Sequence, residues 1–282
     1  MKVVVDQRKL SNEIKKFKST KKTIGFVPTM GALHQGHLSL IKQAAKDNNK
    51  VVVSIFVNPA QFGQKEDLKK YPRSLKKDFE LCRKAGVDLV FVPDVKSMYP
   101  QDYSTFIEVE GLSSKLCGIF RPGHFRGVAT IVAKLLNIIE PELLYLGQKD
   151  AQQAIIVNRM IKDLNFPVKV KVMPTVREKD GLALSSRNIY LNKQERKESL
   201  VLSEALFLAK LLIDNGQRDT ARIIAKMKQL IERKRLVTME YISIVDSESL
   251  QDLKKIQKDC LIALAVKIGK TRLIDNLKVQ IS

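Results

Sequence analysis

The chain has no tryptophan, and aromatic residues make up only 6% of its 282 positions. Proteins that grip single-stranded nucleic acid interleave aromatic and basic side chains so that bases can stack. No such interleaving is visible here. Cysteine is scarce: Cys82, Cys117 and Cys260 are widely spaced, odd in number and form no C-x-x-C. That pattern supports neither a disulfide framework nor a zinc site, and three reduced thiols are expected. No apolar run approaches the roughly 20 residues a bilayer-spanning helix needs. The first residues, MKVVVDQRKLSNEIKKFK, turn charged too early for a signal peptide, so a soluble cytoplasmic protein is expected. Hydrophobic residues at 44% are enough for a sizeable core in one large or two smaller domains.

Histidine is also rare, and this makes its placement informative. Two of the three histidines, His34 and His37, fall within residues 23–41, TIGFVPTMGALHQGHLSLI. Residues 24–27 form a short apolar run that predicts a strand stopping at Pro28. Gly31 and Gly36 mark a tight loop, and Leu38, Ile41, Ala44 and Ala45 then repeat at helical spacing. The prediction is strand, glycine loop, helix. Both imidazoles sit where unpaired N–H groups and the positive end of a helix dipole favour an anion, a place to hold phosphate. Two close imidazoles could instead ligate zinc, but no cysteine or carboxylate lies beside them and His124 is distant.

Further along, residues 8–18 predict an amphipathic helix and residues 51–57, VVVSIFV, a strand buried on both faces. The second strand of this β-α-β unit ends in NPAQF, which brings Asn58 and Gln61 to the crevice of His34 and His37, unless Asn-Pro is only a turn. Residues 74–85 read as helix, 88–92 as strand and 105–109 as a weaker strand. Residues 118–127, GIFRPGHFRG, read as a loop whose Arg121, His124 and Arg126 suit anionic substrates, followed by a helix over 128–139. A strand at 143–146 leads into GQKDAQQ, where Asp150 could be no more than a helix cap. After a strand at 168–173 comes a mobile-looking polar stretch with Ser185 and Ser186 next to Arg187, suited to phosphate oxygens. Beyond about residue 188 the pattern becomes helices (193–215, 220–234) and then strands (241–245, 261–266, 272–275). The chain is therefore expected to be α/β: a Rossmann-like parallel-sheet domain over 1–175 and a smaller α+β domain over 176–282.

The net charge of +20 argues for a nucleic-acid partner. Its spread argues against one. Residues 176–282 carry 21 Lys and Arg against 14 Asp and Glu, and residues 1–175 carry 29 against 16, so no arm or groove concentrates the charge. A solvated basic surface is the expectation, with nucleic acid unlikely.

Taken in order, PTMGALHQGH, VSIFVNPAQF, YPRS, RPGHF, GQKDAQQ, DGLALSSRN and a closing TRLIDN resemble the pantoate–β-alanine ligases, within the wider group of nucleotidyltransferases and class I aminoacyl-tRNA synthetases. The likeness runs nearly end to end. Gln148 stands where similar proteins commonly have glutamate, and the basic charge is unusual for them.

This resemblance implies ATP-dependent condensation of (R)-pantoate with β-alanine to pantothenate, AMP and pyrophosphate through a pantoyl-adenylate. It implies an ATP site at Met30, Gly31, Ala32, Leu33, His34, Gln35, Gly36 and His37. To these it adds Gly147, Gln148, Lys149 and Asp150, Val176 against the adenine, and Leu184, Ser185, Ser186 and Arg187. The smaller domain is expected to close over the nucleotide. Catalytic roles fall to His37, as proton donor, and to His34, Lys149 and Arg187. Gln61 and Gln153 are implied for pantoate, and Gln61 also for β-alanine. Magnesium is expected on the ATP phosphates with no protein metal site, and Asp78 is a candidate for an indirect contact. A homodimer is expected. The rival within enzymology is a nucleotidyltransferase acting on a phosphorylated acceptor, which Asn58, Gln61 and Gln153 oppose because neutral amides suit hydroxyls better than a phosphate.

Overall fold

The computed structural model describes residues 1–64 and 66–281. They form two compact units: residues 1–113, 121–148 and 153–174 in the first, and residues 114–120, 149–152 and 175–281 in the second.

In the first unit β1 (Lys2–Val4) and α1 (Gln7–Ser19) precede β2 (Ile24–Thr29), α2 (Gln35–Asp47) and β3 (Lys50–Ile55). Then come α3 (Leu75–Lys84), β4 (Leu89–Phe91) and α4 (Val95–Met98). After α5 (Cys117–Phe120), which belongs to the second unit, follow α6 (His124–Ile139), β5 (Leu143–Gly147), α7 (Ala151–Asp163), whose first two residues count with the second unit, and β6 (Lys169–Met173). The strands lie in the order β1-β4-β3-β2-β5-β6, and every pairing is parallel. This is the expected Rossmann-like sheet. Chain order runs outward from β2 through β3 and β4 on one side and through β5 and β6 on the other, so the topological switch lies between β2 and β5. A ligand crevice is expected just beyond the C-terminal ends of such strands. Val51, Val52 and Val53 are buried, as a central strand covered on both faces requires. The helix α6 is apolar nearly all round and buried along most of its length, hence a core helix.

The strand β2 continues through Pro28 to Thr29, past the predicted stop. The carbonyls of Thr23 and Thr29 accept from β3-side amides, Lys50 and Phe56, whereas that of Ile24 faces β5 through Glu142. By alternation Pro28 faces β5, where β2 pairing ends at Phe26, so no ladder bond is lost. Residues 105–109 form no strand. The amide of Ile107 donates instead to Thr130 Oγ1 on α6 at 2.9 Å, satisfying the backbone without a ladder. The helix α6 starts at His124, earlier than expected, behind Gly123 in the left-handed region at φ 78°.

The second unit holds α8 (Lys193–Glu198), α9 (Val201–Asp214), α10 (Thr220–Ile231) and the antiparallel strands β7 (Val237–Asp246), β8 (Cys260–Ile268) and β9 (Thr271–Val279) in that spatial order. It is the smaller α+β arrangement. Leu202, Ala205, Leu206, Ile223 and Met227 of the helices share one core with Ile262, Leu264 and Val266 of β8. The single helix predicted over 193–215 is two. Leu202 N bonds the Ser199 carbonyl, three residues back, and Ser199 Oγ donates to the Arg196 carbonyl, which tightens the turn between α8 and α9. No helix among the described residues is long and apolar enough to cross a membrane.

Candidate active site

The loop between β2 and α2 is shaped by two backbone conformations and one buried acid. Gly31 has φ 81° and Ala32 φ 50°, the latter a left-handed conformation that non-glycine residues adopt at a cost of about 1 kcal/mol or more. Asp78, on α3 and 1% exposed, offsets this by accepting from Ala32 N at 3.0 Å and Leu33 N at 2.8 Å. Its carboxylate is thus a clamp on the loop backbone. Burial, and after it the negative charge of Asp78, pushes the Cys82 thiol up to about 12.

The two histidines close the N-terminus of α2 as a capping box. His34 Nδ1 accepts from Gly36 N at 3.2 Å, and His37 Nδ1 accepts from His34 N at 3.3 Å. The rings lie 4.1 Å apart between centroids. A Cβ on Gly36 would stand 2.9 Å from His34 Cε1, so a larger residue would push that ring from its capping position. A nitrogen that accepts a hydrogen bond cannot also hold the proton, so the neutral rings carry theirs on Nε2. Two N–H donors at a helix N-terminus suit a phosphoryl oxygen.

Beyond β3, Asn58 and Gln61 are buried on the turn Pro59–Gln61. Asn58 Nδ2 donates to Gln61 Oε1 and to the Gly127 carbonyl, each at 3.0 Å, while Asn58 Oδ1 accepts from the Tyr99 hydroxyl at 2.9 Å. Burial pushes the Tyr99 phenol up and keeps it a donor. With Oε1 thus occupied, the Gln61 amide turns its Nε2 toward Met30 Sδ, 3.1 Å away. Gln61 therefore meets Met30, which lies directly after β2 in the first unit. Asn58 itself is inward-facing scaffold.

Arg121, His124 and Arg126, read from the sequence as anion-binding, are otherwise engaged. His124 Nδ1 meets the Gln61 carbonyl at 2.8 Å and its Nε2 meets Arg121 Nη1 at 3.0 Å, so the ring donates through Nδ1 and accepts through Nε2. Arg121 Nε donates to Glu66 Oε1 at 2.8 Å. The guanidinium of Arg126 lies 4.0 Å over the Phe106 ring. The chain Glu66, Arg121, His124 thus fixes the backbone of Gln61. Gly147 ends β5, Gln148 follows it, and Gln153 lies in the first turn of α7.

In the second unit Lys149 and Asp150 complete the short 3-10 turn that begins at Gln148, with Nζ and Oδ1 3.8 Å apart. Residues 176–184 form a narrow hairpin: the Val176 carbonyl accepts from Leu184 N at 3.0 Å and Arg177 bridges Ala183. Ser185 Oγ caps the next turn by accepting from Arg187 N at 3.2 Å. This stretch is polar but well tied. Arg177 forms a bidentate pair with Asp275 at 2.6 and 2.9 Å, and Arg196 holds Glu178 at 2.9 Å and Asp180 at 2.7 Å. Asn276 Nδ2 donates to the Lys149 carbonyl at 2.8 Å. Sequence reading found TRLIDN as a block but gave Asp275 and Asn276 no role, and it missed Gly127. The available signal was a glycine inside an apolar helix and an acid with an amide in a buried strand.

Comparison with known proteins gives one family over nearly the whole chain. The family model described as pantoate-beta-alanine ligase matches residues 2–278. A pantothenate synthetase of Heliobacterium modesticaldum is 54% identical over 260 residues, 92% of each chain. The crystal structure of pantothenate synthetase from Thermus thermophilus superposes with a TM-score of 0.94 at 42% identity, covering 98% of this chain and 99% of that one. The pantoate-beta-alanine ligase of Francisella tularensis, solved with beta-gamma ATP and beta-alanine, gives 0.81 at 36% identity, over 98% and 97% of the two chains. The chain belongs to the pantoate–β-alanine ligase family.

Proposed function

We propose that this protein joins (R)-pantoate to β-alanine at the expense of ATP, releasing AMP and pyrophosphate, by way of a pantoyl-adenylate. The observation that carries the reading is the paired-imidazole cap of α2, whose Nδ1 atoms accept from backbone amides and so fix both rings at a helix N-terminus that favours an anion. A carboxylate is a poor acyl donor because its leaving group would be oxide. Transfer of AMP to the pantoate carboxylate supplies a good leaving group, and the free amine of β-alanine then displaces it.

In the first step charge grows on the α-phosphate and pyrophosphate. His34, His37, Lys149 and Arg187 are the electrostatic donors, with His37 delivering the proton. Met30, Gly31, Ala32, Leu33, Gln35 and Gly36, together with Gly147, Gln148, Asp150, Leu184, Ser185 and Ser186, cradle the nucleotide, and Val176 meets the adenine. Gln61, its amide oriented by Asn58, and Gln153 hold pantoate, and Gln61 also serves β-alanine. A pre-oriented neutral amide suits hydroxyl and carboxylate groups and disfavours the rival that transfers a nucleotide to a phosphorylated acceptor.

Magnesium is proposed as a partner of ATP, supplying charge neutralisation on the phosphates. Both Asp78 oxygens accept from loop amides, and the ion would be held mainly by the nucleotide's own oxygens, as is usual for this hard cation. A cytoplasmic homodimer is proposed on the family resemblance.

The test is ATP–pyrophosphate exchange with candidate acids. Exchange is expected to require pantoate and magnesium and to proceed without β-alanine. Exchange driven by a phosphorylated acceptor alone would sink the ligase reading.

A further inference from the structure

Two consecutive residues of β9 reach the two segments of the second unit that carry phosphate-binding groups. Asp275 and Asn276 are 2% and 5% exposed. Asn276 Nδ2 donates to the carbonyl of Lys149, and Asn276 N donates to Asp275 Oδ1 at 2.8 Å. Asp275 takes both terminal nitrogens of Arg177, and Arg177 also donates to the Gly181 carbonyl at 3.0 Å. Arg177 stands at the base of the hairpin from which residues 184–187 emerge.

We infer that Asp275 and Asn276 are positioning residues for adenylate formation: Asn276 sets the backbone of Lys149, and Asp275, through Arg177, sets the segment bearing Arg187. The inference rests on the site reading above, in which Lys149 and Arg187 meet the ATP phosphates. Physical chemistry favours a geometric role over a stabilising one. A buried ion pair adds little net stability compared with apolar residues of the same shape, because desolvation offsets the attraction. What such a pair does supply is a single direction for a planar guanidinium and the loop it carries. Lys149 has a long side chain with many rotamers, so a fixed peptide at its root narrows where the ammonium can reach. Misplacement of a reacting or stabilising group by about 1 Å costs on the order of 100-fold in rate.

The experiment is a double-mutant cycle read in two half-reactions. Asn276→Ala, and Asn276→Leu as the shape-retaining variant, are expected to slow pantoate-dependent ATP–pyrophosphate exchange by about 10–100-fold. Conversion of pre-formed pantoyl-adenylate with β-alanine, which does not involve the pyrophosphate, should stay within about twofold of wild type. In a Lys149→Ala background the same change should alter exchange by less than about twofold, because residues acting through one another are not additive. Asp275→Asn with Arg187→Ala is the corresponding second cycle. Additive losses, or equal losses in both half-reactions, would overturn the inference. Exchange lost in Lys149→Ala but kept in Asn276→Leu overturns it alone. Exchange that survives Lys149→Ala overturns the site reading and this inference with it.

Discussion

Gly127 lies against Ala60 so closely that no side chain fits between them: a Cβ on Gly127 would overlap the Ala60 carbonyl and stand 2.6 Å from Gln61 N. The helix α6 thereby presses directly on the turn that carries Gln61, and the Gly127 carbonyl completes the hold by accepting from Asn58. Gly127→Ala should destabilise the fold by about 1–3 kcal/mol, the usual cost of overpacking against rigid backbone. It should also raise the KM for pantoate more than that for ATP, since the displaced turn bears Gln61, whereas the Met30–His37 segment is held between β2 and α2. Chemical denaturation together with steady-state kinetics on both substrates checks this. Equal changes in the two KM values would mean that the turn does not serve pantoate.

His37 separates the half-reactions. Its ring sits at the α2 N-terminus 4.1 Å from that of His34, beside the proposed α-phosphate position, so its work belongs to forming the adenylate. His37→Ala should slow pantoate-dependent pyrophosphate exchange by about two to four powers of ten, the range for a lost positioned acid or electrostatic donor. Supplied with pre-formed pantoyl-adenylate and β-alanine, the same variant should recover most of the wild-type rate. Failure in both halves by a folded variant would assign His37 to the departing AMP or the amine as well.

Asp246 gives the second unit an acid-sensitive contact. Its carboxylate receives Lys258 Nζ at 2.6 Å, Ser249 N and Oγ at 2.8 Å and Glu248 N at 3.1 Å, and these bonds, that of Lys258 first, hold it well below the usual carboxylate range. The unfolded carboxyl titrates near 3.9 and therefore binds protons that the folded one refuses, so this stability is fully present above about pH 5 and fades as pH falls below it. Asp246→Asn should cost about 1–2 kcal/mol at pH 7: the amide Oδ1 can still accept from Ser249 and Glu248, but those bonds lose the carboxylate charge and Oδ2 no longer accepts from Lys258, whose largely exposed ammonium is screened by solvent and adds the smaller part. Denaturation curves of the two proteins should converge toward pH 3. A gap that stays constant from pH 7 to 3 would show that the charge is not what the site uses.

The elements and the chemical motif were legible because both are local. The apolar run, the two glycines and the two histidines of residues 23–41 prescribe strand, loop and capped helix within one short window, and the order of motif blocks along the chain carries the family resemblance. Periodicity says nothing about which neighbour a strand faces, so only the sheet order shows that Pro28 sits on the β5 side beyond the last paired residue and that β2 runs on past it. The same limit hid the turn at Ser199, where a side chain bonding to a carbonyl tightens a helix that looks continuous by pattern. The residues that hold the site in shape could be assigned only in three dimensions, because each acts across a long stretch of chain. Asp78 reaches Leu33 over 45 residues, His124 reaches Gln61 over 63, Asp275 reaches Arg177 over 98 and Asn276 reaches Lys149 over 127. An acid or amide in a buried element looks the same in sequence whether it meets a loop amide, a guanidinium or water. Tertiary packing decides which, because burial leaves the group no solvent and it must take whatever partner the fold brings within about 3 Å.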